Sequence, residues 1–120
     1  MFKKVRYEIV NKDGKAYVAK NAYLAGGVYS RFLGLMFKKQ MEKDSALVFY
    51  KAPSIHTFFM RFPIDIIFLD RQLRVIKITP YLKPWRIVNC FGSFATVELP
   101  GGRVREIGLK EGDLLEFVDK

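Results

Sequence analysis

Six consecutive residues, Ile64-Asp65-Ile66-Ile67-Phe68-Leu69, are apolar except for one carboxylate, and they constrain the fold more than any other stretch of the chain. Successive side chains of an extended strand point to opposite faces, so Ile64, Ile66 and Phe68 share one face while Asp65, Ile67 and Leu69 share the other. Both faces are apolar, which is the pattern of a buried strand. Asp65 is therefore expected at the rim of a buried layer, where a carboxylate needs a cation or several hydrogen-bond donors to stay charged. Arg61, close in sequence, and Arg31, near the end of a predicted helix, are its two candidate partners. A salt bridge pinning helix to sheet is favoured over a ligand-binding role, because structural pairs also hold buried carboxylates.

The 120 residues form one expected domain, 1–120, long enough to bury roughly two-thirds of the surface that the unfolded chain exposes. Half of them are hydrophobic and eleven are Phe, far from the composition of a disordered chain. The longest apolar runs, Ala46 to Tyr50 and Ile66 to Leu69, fall well short of the roughly 20 residues that cross a bilayer. Val5-Arg6-Tyr7-Glu8 alternates like a strand and builds no signal-peptide core. A cytoplasmic protein with no membrane association is the expectation. The single Cys90 allows no intramolecular disulfide, and beside Val88 and Phe91 it reads as an inert thiol. Only three Asn and two Gln accompany many Lys, Arg and Glu, a balance compatible with a thermophilic source.

Strands are expected at Val5 to Val10 and Ala16 to Lys20, joined across Asp13-Gly14. Leu24, Val28, Phe32, Leu35 and Met36 fall at helical spacing and predict a short helix over Ala25 to Leu33, ending near Gly34. Further strands are expected at Ser45 to Lys51, Ile55 to Arg61, Ile64 to Leu69, Leu73 to Thr79, Trp85 to Val88, Phe94 to Leu99 and Leu114 to Val118. One or two helical turns over Arg103 to Ile107 close at Gly108. So many short strands with so little helix predict a mainly β fold, a compact antiparallel jelly-roll-like sandwich or barrel with one or two short helices.

Recognisable catalytic motifs are absent: the sequence has no nucleophile elbow, zinc-protease helix or dinucleotide fingerprint. One His and one Cys cannot build a Cys-rich zinc site, and a mixed site of His56, Asp65 and Glu98 lacks diagnostic spacing, so neither metal nor cofactor is expected. His56 reads as a strand histidine sharing a face with Phe58 and Met60. Glu98 shares a face with Phe94 and Thr96; it is ordinary surface if that face is solvent, and a partner for Asp65 in acid–base work if that face lines a concavity. Pro100-Gly101-Gly102 reads as a sharp turn, with Gly101 a weaker candidate for anion contact. The net charge of +9 is read as a dispersed, solvated basic surface. Single-stranded nucleic acid, stacked on Tyr81 and Trp85 beside Lys83 and Arg86, is a possible but less favoured partner.

In order and spacing, Arg31-Phe32-Leu33-Gly34-Leu35-Met36-Phe37-Lys38, Leu47-Val48-Phe49, Phe59-Met60, Pro63 to Asp70, Val97-Glu98-Leu99, Gly101 and Gly112-Asp113 resemble an uncharacterised prokaryotic family, that of domain of unknown function one hundred and ninety-two. The resemblance covers nearly the whole chain. It implies a small jelly-roll-like β-sandwich and brings no substrate, cofactor or activity. Where the family usually reads Trp-Met-Lys-Asn-Thr, this chain has Phe59-Met60-Arg61-Phe62-Pro63, without the amide and hydroxyl groups. The resulting expectation is a binding module for a small anionic ligand or a protein partner, on a concave sheet face near Arg31, His56, Met60, Arg61, Asp65, Glu98 and Gly101. The alternative from another class is a hydrolase or lyase using Asp65 and Glu98.

Overall fold

In the computed structural model, which describes residues 6–14, 16–25, 41–58 and 60–120, nine strands and one short helix follow one another along the chain. They are β1 (Arg6–Asn11), β2 (Tyr17–Leu24), β3 (Ser45–Tyr50), β4 (Ser54–His56), β5 (Ile64–Leu69), β6 (Val75–Leu82), β7 (Ile87–Asn89), β8 (Ala95–Pro100), α1 (Arg103–Ile107) and β9 (Leu115–Asp119). Seven of the strands make one sheet in the order β6-β5-β8-β3-β2-β1-β9, and β4 pairs with β7 in a separate ribbon. The protein is mainly β, as its strand pattern predicts. Its pairs are antiparallel apart from β2 and β3, which run parallel. A parallel pair needs a long connection, and the chain between Leu24 and Ser45 supplies one.

Polar groups at the start of β6 and β9 curl the large sheet towards a half-barrel. The Val75 amide donates to the Asp113 carbonyl (2.8 Å), and the Leu115 amide donates to that of Leu73 (2.9 Å). Arg74 and Leu114 form a bridge between the two edges. Asp113, only 4% exposed, accepts hydrogen bonds from Asn11 Nδ2 and the Lys110 amide, both at 3.0 Å. Gly112 before it has φ 94°, a conformation open to glycine but strained for other residues.

Curling divides the apolar residues between two clusters. The inner one draws on all seven strands, with Ile9, Val18, Val48, Ile67, Val75, Val97 and Leu115 among its members. The other lies on the opposite face, where Leu47, Phe49, Ile64, Ile66 and Phe68 are covered by Ile55 and Met60. Ile55 belongs to β4 and Val88 to β7, so the ribbon lies against this second face. All six residues of β5 are buried, since it runs between β6 and β8 with a cluster on either side.

One expectation changes, and another falls outside the described residues. The strand predicted over Ile55 to Arg61 ends at His56, because the buried Thr57 turns the chain: its carbonyl accepts from the amides of Met60 and Trp85. β4 pairs with β7. Apart from Ala25, the predicted helix over Ala25 to Leu33 lies outside the described residues, as do Arg31, Gly34 and Met36.

The closure predicts that Asp113→Ala destabilises the protein by about 2–3 kcal/mol, because the Lys110 amide and the Asn11 side chain lose a charged acceptor in a buried place. Urea unfolding should show a lowered midpoint for this variant, and a much smaller shift for Glu116→Ala on the exposed part of β9.

Candidate site: a basic, aromatic surface

Asp65 is fully buried, and three backbone amides hold its carboxylate. Oδ1 accepts from Tyr81 (2.7 Å) and Gly102 (3.0 Å), and Oδ2 accepts from Val104 (2.7 Å). Each donor lies where regular structure fails. Between Ile64–Leu82 and Ile66–Thr79 the β5–β6 register shifts, and Tyr81 bulges with φ 50°. Gly102 (φ 93°) and Val104 open α1, whose first amides have no partner within the helix. Among the described residues the charge of Asp65 is thus met by peptide dipoles and not by an arginine, while Arg61 is exposed. The expected salt bridge with Arg61 is not formed; Arg31 lies outside the described residues.

The sheet separates Asp65 from Glu98. Asp65 pairs with Leu99, a member of the inner cluster, whereas Glu98 pairs with Ile66 and Leu47, which belong to the opposite one. Directly paired residues share a face, so the two carboxylates point to opposite sides of the sheet. Acid–base work by this pair is excluded by that geometry. Glu98 is 6% exposed and is not surface; it lies on the same face as Met60 and Phe68. Gly101 has a packing role: a Cβ there would meet the Pro63 carbonyl oxygen at 3.0 Å and the Tyr81 ring at 3.1 Å. Among the described residues, those expected to gather on one concave face are therefore dispersed. Asp65 faces inward, Met60 and Glu98 outward, Arg61 and His56 lie at the surface, and Gly101 sits under Tyr81.

What gathers instead is the segment from Tyr81 to Ile87. Tyr81, Trp85 and Ile87 are each more than half exposed. Trp85 has φ 66°, and for a bulky residue the left-handed region is a rare, strained conformation that its surroundings must enforce. Thr57 enforces it here. Its carbonyl accepts from the Trp85 amide (3.0 Å), its amide donates to the Arg86 carbonyl (2.9 Å), and its hydroxyl donates to the Lys83 carbonyl (2.7 Å) and accepts from the Arg86 amide (2.9 Å). At the other end of the loop, Asp65 holds Tyr81. Two buried polar side chains thus fix two half-exposed aromatics.

Rings continue from Trp85 across the ribbon. Phe58 stacks on Trp85 with centroids 5.7 Å apart and planes at 27°, and His56 meets Phe58 at 4.9 Å and 34°. Lys83 and Arg86 flank Trp85 and are exposed. From Lys51 to Val97 the chain carries seven Lys and Arg, at 51, 61, 71, 74, 77, 83 and 86, against two acidic residues. Of those two, Asp65 is buried and Asp70 accepts from the Gln72 and Arg74 amides in its own turn. Arg74 is opposed by Asp13 from outside the stretch (3.6 Å), but neither carboxylate of the stretch itself opposes the remaining basic charge. Sequence carries the signal as a gap in acidic residues between Asp70 and Glu98. Among the described residues no group of three or more His, Cys, Asp or Glu could hold a metal ion, and no helix is long and apolar enough to cross a membrane.

Comparison with known proteins supplies the family context. The family model DUF192, described as an uncharacterised ACR family, matches residues 8–117. UPF0127 protein PH1112 of Pyrococcus horikoshii is 40% identical over 93% of this chain and 95% of its own. UPF0127 protein TK1120 of Thermococcus kodakarensis is 36% identical over 92% of this chain and 73% of its own. These relatives come from thermophilic archaea. A crystal structure from Sinorhizobium meliloti 1021, of a protein described as a proposed transcription regulator, superposes with a TM-score of 0.83 at 22% identity, covering 97% of this chain and 95% of that one. A protein of unknown function from Novosphingobium aromaticivorans superposes at 0.78 with 24% identity, covering 92% and 83%. At such identities the likeness is one of fold.

The amide cradle predicts that Asp65→Asn costs about 2–3 kcal/mol and Asp65→Ala at least as much. An asparagine retains one acceptor oxygen but turns an NH2 group towards an amide that needs an acceptor. Guanidinium unfolding of the two variants beside Arg61→Ala checks this: Arg61→Ala should stay within about 0.5 kcal/mol of the parent, because Arg61 is exposed.

Proposed function

The chain belongs to the DUF192 family of uncharacterised proteins, and from that premise we propose that it is a binding module whose ligand is anionic and docks on the ribbon and the Tyr81–Ile87 segment. The observation that carries this is the pairing of Lys83 and Arg86 with left-handed, half-exposed Trp85 on a stretch whose two carboxylates are engaged internally. Backbone strain of about 1–3 kcal/mol at such a residue persists only where neighbouring structure enforces it, and here it sets out an aromatic ring with exposed Lys83 and Arg86 near it in the chain. The ribbon is tied to the sheet by the Lys77 ammonium of β6, which donates to the Asn89 carbonyl (2.7 Å), and its own end is closed by the Cys90 amide, which donates to the Pro53 carbonyl (2.7 Å). A fixed surface loses little entropy when a ligand arrives. Dispersed over both sides of the sheet, Asp65 and Glu98 support no acid–base alternative.

Trp85 is the chain's one tryptophan, so its emission reports directly on this surface. Titration with inorganic polyphosphate at low salt should produce a saturable change in that emission, with affinity falling as salt is added. The double variant Lys83→Gln, Arg86→Gln should bind about three- to thirty-fold more weakly, the range for two exposed ion contacts. Thr57→Val should weaken binding as well, since Lys83 and Arg86 lose the hydroxyl that fixes their backbone. Absence of any emission change, or equal affinity for the double variant, would refute an anionic ligand here.

A further inference from the structure

We infer that the anionic ligand of this surface is single-stranded nucleic acid, an inference that rests on the anionic-ligand reading above and names its class. The added observation is the ring ladder. His56, Phe58 and Trp85 follow one another at 4.9 and 5.7 Å, the last pair stacked, and Trp85 is 55% exposed. An exposed indole held at a fixed angle is a platform for a flat, unsaturated ring, and every nucleobase has such a face. Tyr81, also 56% exposed, stands at the other end of the same loop. Between and beside the two aromatics lie the cations Lys83 and Arg86, alternating charge and ring as a polynucleotide alternates phosphate and base. Polyphosphate or an acidic peptide satisfies the cations and leaves the rings unused. In a duplex the bases already stack on one another, so a platform of this kind selects single strands.

Anisotropy of labelled oligothymidylate, read with the full chain and competed with unlabelled oligothymidylate, a duplex of equal length, inorganic polyphosphate and polyglutamate, tests the inference. Single strand should compete best. Trp85→Ala should weaken it by roughly five- to a hundred-fold, the range for loss of one base–aromatic stack, while Trp85→Phe retains most of the affinity. Because Trp85 is largely exposed, both variants should melt near the parent, and Trp85→Phe preserves the ring should the alanine variant fold poorly. Removing Lys83 or Arg86 should lower the slope of log affinity against log salt by roughly 0.7 each. If all four polyanions compete equally, or if Trp85→Ala and Trp85→Phe bind single strand alike, the ligand is not nucleic acid but the anionic reading stands. If duplex wins, stacking is not the mode and the inference falls. If none of the four binds at low salt, both readings fall together.

Discussion

The carboxylate of Asp65 is the interaction on which the arrangement of this protein depends. Buried between strands and helix, it supplies acceptors to three amides that no ladder or helix could satisfy: the bulge at Tyr81, the left-handed turn at Gly102 and the first turn of α1. A buried amide without an acceptor is costly, so these three irregularities can coexist only around a group with several lone pairs. Peptide dipoles bring no net charge of their own, yet a carboxylate that accepts three of them is well compensated. β5 can therefore be apolar on both faces and still carry one ion.

The same carboxylate reaches outward through Tyr81. Holding the bulge fixes the start of the loop, and Thr57 fixes its end with four backbone or hydroxyl bonds to Lys83, Trp85 and Arg86. Gly101 leaves room for the Tyr81 ring, since a methyl group there would crowd both that ring and Pro63. Core and surface are thus linked in a short chain of contacts. Change at Asp65 or Thr57 is expected to disturb the exposed aromatics without touching any ligand, and this separates a positioning residue from one that makes contact.

Half-barrel closure and loop presentation use the same device at two ends of the sheet. Asp113 serves Asn11 and the Lys110 amide where β6 and β9 meet, as Asp65 serves Tyr81, Gly102 and Val104. In each place a carboxylate with low exposure substitutes for missing ladder bonds. Asp65, a catalytic candidate in sequence, is committed to three backbone amides, and Asp113 to one amide and the Asn11 side chain. The surface of the Tyr81–Ile87 segment is left to aromatic and basic side chains.

Strand number, the turn at Asp70, the short helix closed by Gly108 and the burial of β5 are all determined by local pattern, because alternation, turn chemistry and helix termination act over a few residues. The family too is legible, from the order of short motifs. Pairing is another matter: that β4 meets β7, that β2 and β3 run parallel, and that Asp65 and Glu98 lie on opposite faces depend on contacts far apart in sequence. A parity argument on Asp65 within its own strand could not place Glu98, since the relative face of two strands is set by register and not by either strand alone. Nor could sequence distinguish an arginine from three amides as the partner of Asp65, because a backbone donor carries no residue identity. The gap in acidic residues between Asp70 and Glu98 was visible in the chain, but only folding showed that Asp65 is consumed inside and that Trp85 is held in a left-handed backbone beside Lys83 and Arg86. Tertiary structure decided those points because hydrogen bonds from remote elements, rather than local propensity, stabilise a strained residue at the surface.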